Sequence, residues 1–289
     1  MILSLNAMAT RFELVLYGSD PAHLRAAGEE ALQEIERLEA QLSFYRRDSE
    51  IRFLNDNAAS RPVKVEPRLF HLLQKCASLF ASTAGAFDVT VAPLMRAWRF
   101  VNDHGALPDE GARDAARSLV GTEYLEFDDA GLTVRFGKQG MEIDLGGCGK
   151  GYAIERAVTL LKENGVSSAF IQGGTSSAYA IGAPPHSRSW RIRLADPIFA
   201  EDSPVVVDLI DCALSVSAIH GKFFERDGKR YGHVIDPRSG QVVSGAAAAA
   251  VTGPSATECE ALSTALLVLG PSWLPDMAEA FSRYRGWIA

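Results

Sequence analysis

The chain has 289 residues, of which 47% are hydrophobic and 22% charged, with a formal net charge of −7. Such a chain can bury one large core or two closely packed lobes, which excludes disorder as its main state. The acidic balance excludes a general affinity for nucleic acid or anionic membranes, while leaving room for a local positive pocket around phosphates.

The opening "MILSLNAMATRFELVLYG" alternates like a strand, and residues 11–17 are predicted as one. It has no basic region followed by a continuous apolar core, so no signal peptide is expected. The chain as given is expected to be cytoplasmic, or exported or anchored if a leader precedes it. Pro21 opens "PAHLRAAGEEALQEIERLEAQL", whose alanine, leucine and isoleucine positions share one face and predict a helix. The following "SFYRRDSEIRFLNDN" reads as a loop with a short helical turn, and "PRLFHLLQKCASLFAST" as a helix over 67–83. Glycine and proline interrupt "GAFDVTVAPLMRAWRF", and residues 101–118 read as an exposed loop and a short amphipathic helix.

Three strands are predicted in "YLEFDD", "GLTVRF" and "MEIDLG", then a helix in "GKGYAIERAVTLLKENGV" closed at Asn164-Gly165. The segments "SSAFIQGG", "SAYAIG", "WRIRLAD", "VVVDLIDCALSVSA" and "RYGHVID" continue a strand-rich section, while "SGAAAAAVTG" reads as small and flexible. An amphipathic helix is predicted in "SATECEALSTALLVLG" and a further short one in "SWLPDMAEAFSRY". Helices, then many strands, then helices again give no regular alternation, so the predicted class is α+β rather than a doubly wound sheet. No run reaches the apolar length of a membrane span. Cys76, Cys148, Cys212 and Cys259 are widely spaced and read as reduced, mostly buried thiols.

Several stretches carry chemistry. In "DLGGCGKG", glycines surround Lys150 just ahead of a helix, an arrangement that can expose backbone N–H groups to a phosphate. It matches neither GxxxxGK[ST] nor GxGxxG, and an ordinary strand-to-helix turn explains the glycines as well. Gly173 and Gly174, followed by Thr175, Ser176 and Ser177, make a second such turn, whose plain reading is a loop. Glu260 and Thr264 are four residues apart and share a helix face. A carboxylate and a hydroxyl suit Mg²⁺ when backbone oxygen, water and diphosphate complete the shell, although an exposed glutamate and an intrahelical threonine give the same spacing. In "RYGHVIDPRSG", His233 can move a proton near neutral pH. Asp236 can orient it, bind metal or cap the turn at Pro237, and Arg238 can meet phosphate or pair with an acid. Phe44 and Tyr45 read first as a packing corner and second as a stacking surface for a flat ligand. Six histidines make a histidine metal cluster unexpected, and the chain holds no Gly-x-Ser-x-Gly elbow of a serine hydrolase.

Together these motifs resemble the FAD:protein FMN transferases, the ApbE-like flavin transferases, over nearly the full length. "MAT" at 8–10 is similar to the family's Met-Gly-Thr, and "LSFYRRDSEIRFLN" to its Leu-Ser-x-Tyr…Ser-Glu-Ile…Leu-Asn segment. "GAFDVTVAPLMRAWRF", "DLGGCGKGYAIERA", "FIQGG", "HVIDPRSG" and "ECEALSTAL" follow in the family's order. The resemblance implies one T-fold-related α+β domain over residues 1–289. It implies transfer of FMN from FAD to a threonine of an acceptor flavoprotein, releasing AMP and using Mg²⁺. Hydrolysis of FAD to FMN and AMP, or non-catalytic flavin binding, are the alternatives, and no oligomeric state is predicted. On this resemblance Met8, Tyr45, Asn55, Asp88, Lys150, Gly173 and Gly174 belong to the FAD site. Glu260, Thr264 and the Gly149 carbonyl hold Mg²⁺, His233 is the preferred base candidate, and Asp236 supports either the metal or His233. Three segments depart from the family pattern: Glu260 replaces Asp, Thr175 replaces the acid of Gly-Gly-Asp, and Val216-Ser217-Ala218 replaces Thr-Ser-Gly.

Overall fold

A computed structural model describes residues 1–102, 105–194, 205–219 and 223–289. Residues 103–104 of the predicted loop and the last two residues of "WRIRLAD" lie outside the described residues. The chain opens with a hairpin, β1 (Ile2–Ala7) and β2 (Thr10–Leu16), then α1 (Pro21–Leu42), α2 (Glu50–Asn57), β3 (Val63–Lys64) and α3 (Pro67–Ser82). Two short helices, α4 (Ala92–Ala97) and α5 (Glu110–Arg117), precede β4 (Leu125–Asp128) and β5 (Thr133–Phe136). Next come α6 (Gly149–Glu163), β6 (Ala169–Gly173), β7 (Ser177–Ile181), β8 (Trp190–Arg193), β9 (Val206–Leu209) and β10 (Cys212–Ala218). The chain ends with β11 (Phe223–Arg226), β12 (Lys229–Gly232), β13 (Ala248–Gly253), α7 (Ala256–Leu269), α8 (Leu274–Ala280) and β14 (Arg285–Ile288).

The main sheet is antiparallel and seven-stranded, in the order β1-β2-β6-β7-β10-β13-β14. One face packs on α1, α6 and α7 through the main core, which includes Leu14, Ile35, Ile154 and Leu262. The other face packs on the β8–β9 hairpin through Phe170, Ala180, Leu209 and Leu214. Helices on one side of an antiparallel sheet make this an α+β arrangement. α1 forms where predicted because its buried residues, Leu24, Ala27, Ala31, Leu32, Ile35, Leu38 and Leu42, recur at helical spacing. Asp20 caps it by accepting from the Ala22 and His23 N–H groups, and Pro21 starts it without losing a hydrogen bond. Cys76, Cys148 and Cys259 are buried free thiols, and Cys212 is half-buried. Among the described residues no helix is long and apolar enough to cross a membrane.

Four expectations need correction. "SGAAAAAVTG" is small but not flexible, because its second half is β13, buried at every position between two strands and two packed faces. The segment 141–145 of "MEIDLG" makes no ladder; its backbone bonds instead to the Asn55 side chain and the Val89 carbonyl. "VVVDLIDCALSVSA" is two strands, since Asp211 turns at φ 47° between β9 and β10. "SATECEALSTALLVLG" forms α7, but ten of its residues are buried, so the helix is enclosed rather than amphipathic.

α6 and α7 cross at a close contact that fixes the geometry described below. A Cβ on Gly151 would lie 2.3 Å from the Ala256 carbonyl oxygen, so only glycine allows this approach. Glu155 Oε2 then accepts from Ser255 Oγ at 2.6 Å and Thr257 Oγ1 at 2.9 Å, tying α6 to the N-cap of α7. Replacing Gly151 with alanine forces backbone apart and is expected to cost about 3 kcal/mol. Equilibrium urea unfolding checks this; a midpoint equal to the parent's would refute the close-contact argument.

Candidate active site

Three turns and two helices meet at one end of the main sheet. Met8 and Ala9 turn the β1–β2 hairpin with φ of 51° and 56°. Beside it, Gly174 turns the β6–β7 hairpin at φ 64°, where a Cβ would lie 2.4 Å from Thr10 Oγ1. Its N–H bonds to the Arg11 carbonyl at 2.9 Å, and Gly173 pairs with Phe12. Met8, Gly173 and Gly174, distant in sequence, are thus brought together. The Met8 N–H is fixed by Glu39 Oε1 at 2.6 Å.

Ser177, the first residue of β7, faces α7 from this end. Its hydroxyl donates a short hydrogen bond to Glu260 Oε1. Lys150, at the start of α6, places Nζ 3.3 Å from the same oxygen. Glu260 is buried, its side chain only 5% exposed, and its Oε2 has no hydrogen-bond partner among the described residues. One turn on, Thr264 Oγ1 lies 3.1 Å from Ser217 Oγ, which reaches Ser263 Oγ at 2.8 Å. Ser263 continues to Ser215 at 3.1 Å. Sequence reasoning missed this hydroxyl chain, although the alternation Ser215-x-Ser217 places both on one face of β10.

Glu260 and Lys150 therefore meet where α6 begins and α7 passes, with Thr264 one turn along α7 and Gly149 next to Lys150 in sequence. Among the described residues no three His, Cys, Asp or Glu side chains gather as a metal cage. A Mg²⁺ site does not require one, because this ion binds through one or two carboxylates with other oxygens and water. A buried carboxylate oxygen without a partner is costly unless a cation meets it, and the neighbouring donors are hard oxygens. The residues present fit Mg²⁺.

Asn55 and Asp88 act behind the glycine loop. The Asn55 amide makes a paired contact with the Ile143 backbone, at 2.9 Å to its carbonyl and 2.8 Å from its N–H. Asp88 is buried and accepts from the Thr90 N–H and hydroxyl and from the Thr122 N–H and hydroxyl, at 2.6–3.2 Å. Burial pushes its carboxyl above the usual range, against the Thr122 and Thr90 hydrogen bonds. Val89 next to it accepts from the Asp144 N–H, so Asn55 and Val89 hold the backbone that leads into Lys150, with Asp88 fixing the turn at Val89. Tyr45 is 64% exposed and meets Phe44 edge-on at 5.4 Å, while Phe44 is buried. The packing-corner reading fits Phe44, while Tyr45 stands largely exposed beside it.

His233 follows β12, which ends one residue earlier. Gly232 packs against Ile219, just beyond the Val216-Ser217-Ala218 end of β10. After His233 the backbone pairs again, Ile235 with Val242, and the Asp236 N–H bonds to the Gln241 carbonyl. Asp236 accepts from Arg238 Nε and Nη2, each at 2.9 Å, and from the Arg238 N–H at 3.0 Å. Asp236 thus shapes the "PRSG" turn, and Arg238 is drawn onto it. Trp98 Nε1 donates to the Gly240 carbonyl at 2.9 Å and anchors the same turn. Of two cavities, only one touches this turn. One of about 430 Å³ is bordered by Gly85, Asp88, Tyr124, Lys138 and Arg238. Another of about 530 Å³ lies at the opposite end of the sheet, near Cys212, Thr252 and Arg285, and includes none of the site residues.

Comparison with known proteins decides the family. The model of the ApbE family matches residues 8–286. The chain belongs to the ApbE family. It is 31% identical to the FAD:protein FMN transferase of Treponema pallidum over 272 residues, covering 88% of this chain and 75% of that protein. It is 28% identical to the FAD:protein FMN transferase of Klebsiella pneumoniae, covering 93% and 79%. The ApbE protein of Thermotoga maritima superposes with a TM-score of 0.89 at 27% identity, over 100% of this chain and 93% of that one. The apo flavinyl transferase ApbE of Pseudomonas stutzeri gives 0.86 at 29% identity, over 100% and 94%. The ApbE fold therefore extends through both hairpin turns and the α6–α7 crossing.

Proposed function

We propose that this ApbE-family chain transfers FMN from FAD to a threonine of an acceptor flavoprotein, with Mg²⁺ bound and AMP released. The observation that carries this reading is Glu260: buried, held at one oxygen by Lys150 and Ser177, and unpartnered at the other. The relatives' shared activity supplies the substrate class. Met8, Tyr45, Lys150, Gly173 and Gly174 line the FAD site in this reading, and Asn55 and Asp88 shape it through the backbone they hold. Glu260, Thr264 and the Gly149 carbonyl would hold Mg²⁺, which neutralises diphosphate charge when bound. Lys150 and the N–H groups at the start of α6 stabilise the phosphate oxygens. The threonine Oγ forms a bond to the FMN phosphorus, the anhydride P–O bond breaks, AMP departs, and His233 takes the hydroxyl proton.

The test uses purified protein, FAD, Mg²⁺ and a threonine-bearing acceptor flavoprotein. Mass spectrometry is expected to find the FMN adduct together with an equal amount of AMP, both abolished by EDTA. AMP without an adduct would assign FAD hydrolysis instead, and intact FAD would leave a flavin-binding protein.

A further inference from the structure

Lys150 and Glu260 form a pair that has more to do than fix a helix. Among the described residues Glu260 is the one ion-pair partner of Lys150, at 3.3 Å. The Lys150 side chain is 26% exposed and the Glu260 side chain 5%, so the pair sits at a boundary with the acid on the dry side. Ser177 and Lys150 both engage Oε1, which leaves Oε2 buried without a hydrogen-bond partner among the described residues. A divalent cation at Oε2 would share one carboxylate with an ammonium. Like charges this close repel, and a partly buried site screens the repulsion poorly. A diphosphate changes the balance, because it supplies negative charge for both cations at the N-terminus of α6.

We propose that Lys150 makes metal binding at Glu260 conditional on the diphosphate. Without FAD, the lysine neutralises Glu260 and opposes Mg²⁺; with FAD, the phosphates take up the lysine and the carboxylate is given over to the metal. The proposal rests on the Mg²⁺ reading above and adds an order of binding to it. Linkage makes the effect reciprocal: whatever factor FAD adds to Mg²⁺ affinity, Mg²⁺ adds to FAD affinity. A site so arranged does not collect metal idly, and it closes electrostatically only around its own substrate.

The test is isothermal titration of MgCl₂ into the acceptor-free and FAD-free protein at pH 8, for the parent, Lys150→Met and Lys150→Arg. FAD affinity with and without Mg²⁺ is followed by flavin fluorescence. Lys150→Met is expected to bind Mg²⁺ about tenfold more tightly than the parent without FAD, and to show a smaller gain in FAD affinity on adding Mg²⁺. Lys150→Arg, which keeps the charge, is expected to restore weak metal binding. Should Lys150→Met unfold by circular dichroism, Lys150→Gln replaces it with the same expectation. Mg²⁺ binding to Lys150→Met no tighter than to the parent overturns the proposal while leaving the metal site intact. No Mg²⁺ effect on FAD binding in the parent overturns both this proposal and the metal reading beneath it.

Discussion

Replacing His233 with alanine is expected to slow FMN transfer by roughly 10²–10⁴-fold, the usual contribution of a positioned general base. FAD affinity should change little, because the backbone around position 233 is held by groups other than the imidazole. Gly232 rests against Ile219 on one side. On the other, Ile235 pairs with Val242, Asp236 with Arg238, and Trp98 with the Gly240 carbonyl. A threonine hydroxyl attacks phosphorus poorly while it keeps its proton, so the loss should fall on kcat. Initial rates of adduct formation by mass spectrometry, beside an FAD titration by fluorescence, separate the two effects. Transfer at the parent rate would remove His233 from the mechanism.

Replacing Glu260 with alanine should have an effect of similar size by a different route. It removes a buried carboxylate at the α6–α7 crossing and leaves, of the proposed Mg²⁺ ligands, only Thr264 and the Gly149 carbonyl. The expected outcome is a fall in turnover of roughly 10²–10³-fold, the scale of losing one element of charge stabilisation. The response to added Mg²⁺ should disappear with it. Glu260→Gln keeps the shape and the contact with Ser177 while removing the charge, and should be nearly as impaired. Glu260→Asp, which restores the family's usual acid, is expected to keep the Mg²⁺ response. A Glu260→Ala protein with the parent's Mg²⁺ dependence would place the metal elsewhere.

Much of this was legible in the sequence, and the reasons differ from element to element. The long helix at 21–42 was readable because its apolar residues repeat with the helix and a capped proline opens it. Glu260 and Thr264 were readable as a pair because four residues is one helical turn. The strand β13 was not: alanine has little strand preference, and its burial comes from neighbours far away in the chain. The same distance hid the Lys150–Glu260 pair, which only the crossing at Gly151 creates. Asn55 and Asp88 illustrate a further gap. Motif matching marks them as site residues, but it does not show that their polar atoms are spent on Ile143, Thr90 and Thr122. In "RYGHVIDPRSG" the histidine and the turn were both visible, whereas the pairing of Asp236 with Arg238 required coordinates.

The alanines of β13 set a spacing. Ala249 faces the helices and Ala248 and Ala250 face the β8–β9 hairpin, each filling its side with a single methyl. A longer side chain at Ala249 would lift α7 from the sheet and carry Glu260 away from Ser177 and Thr264 away from Ser217. The placement of Glu260 and Thr264 thus depends on the thinness of a strand whose packed positions here are alanines. Sequence drift there would show first as a slow enzyme rather than an unfolded one.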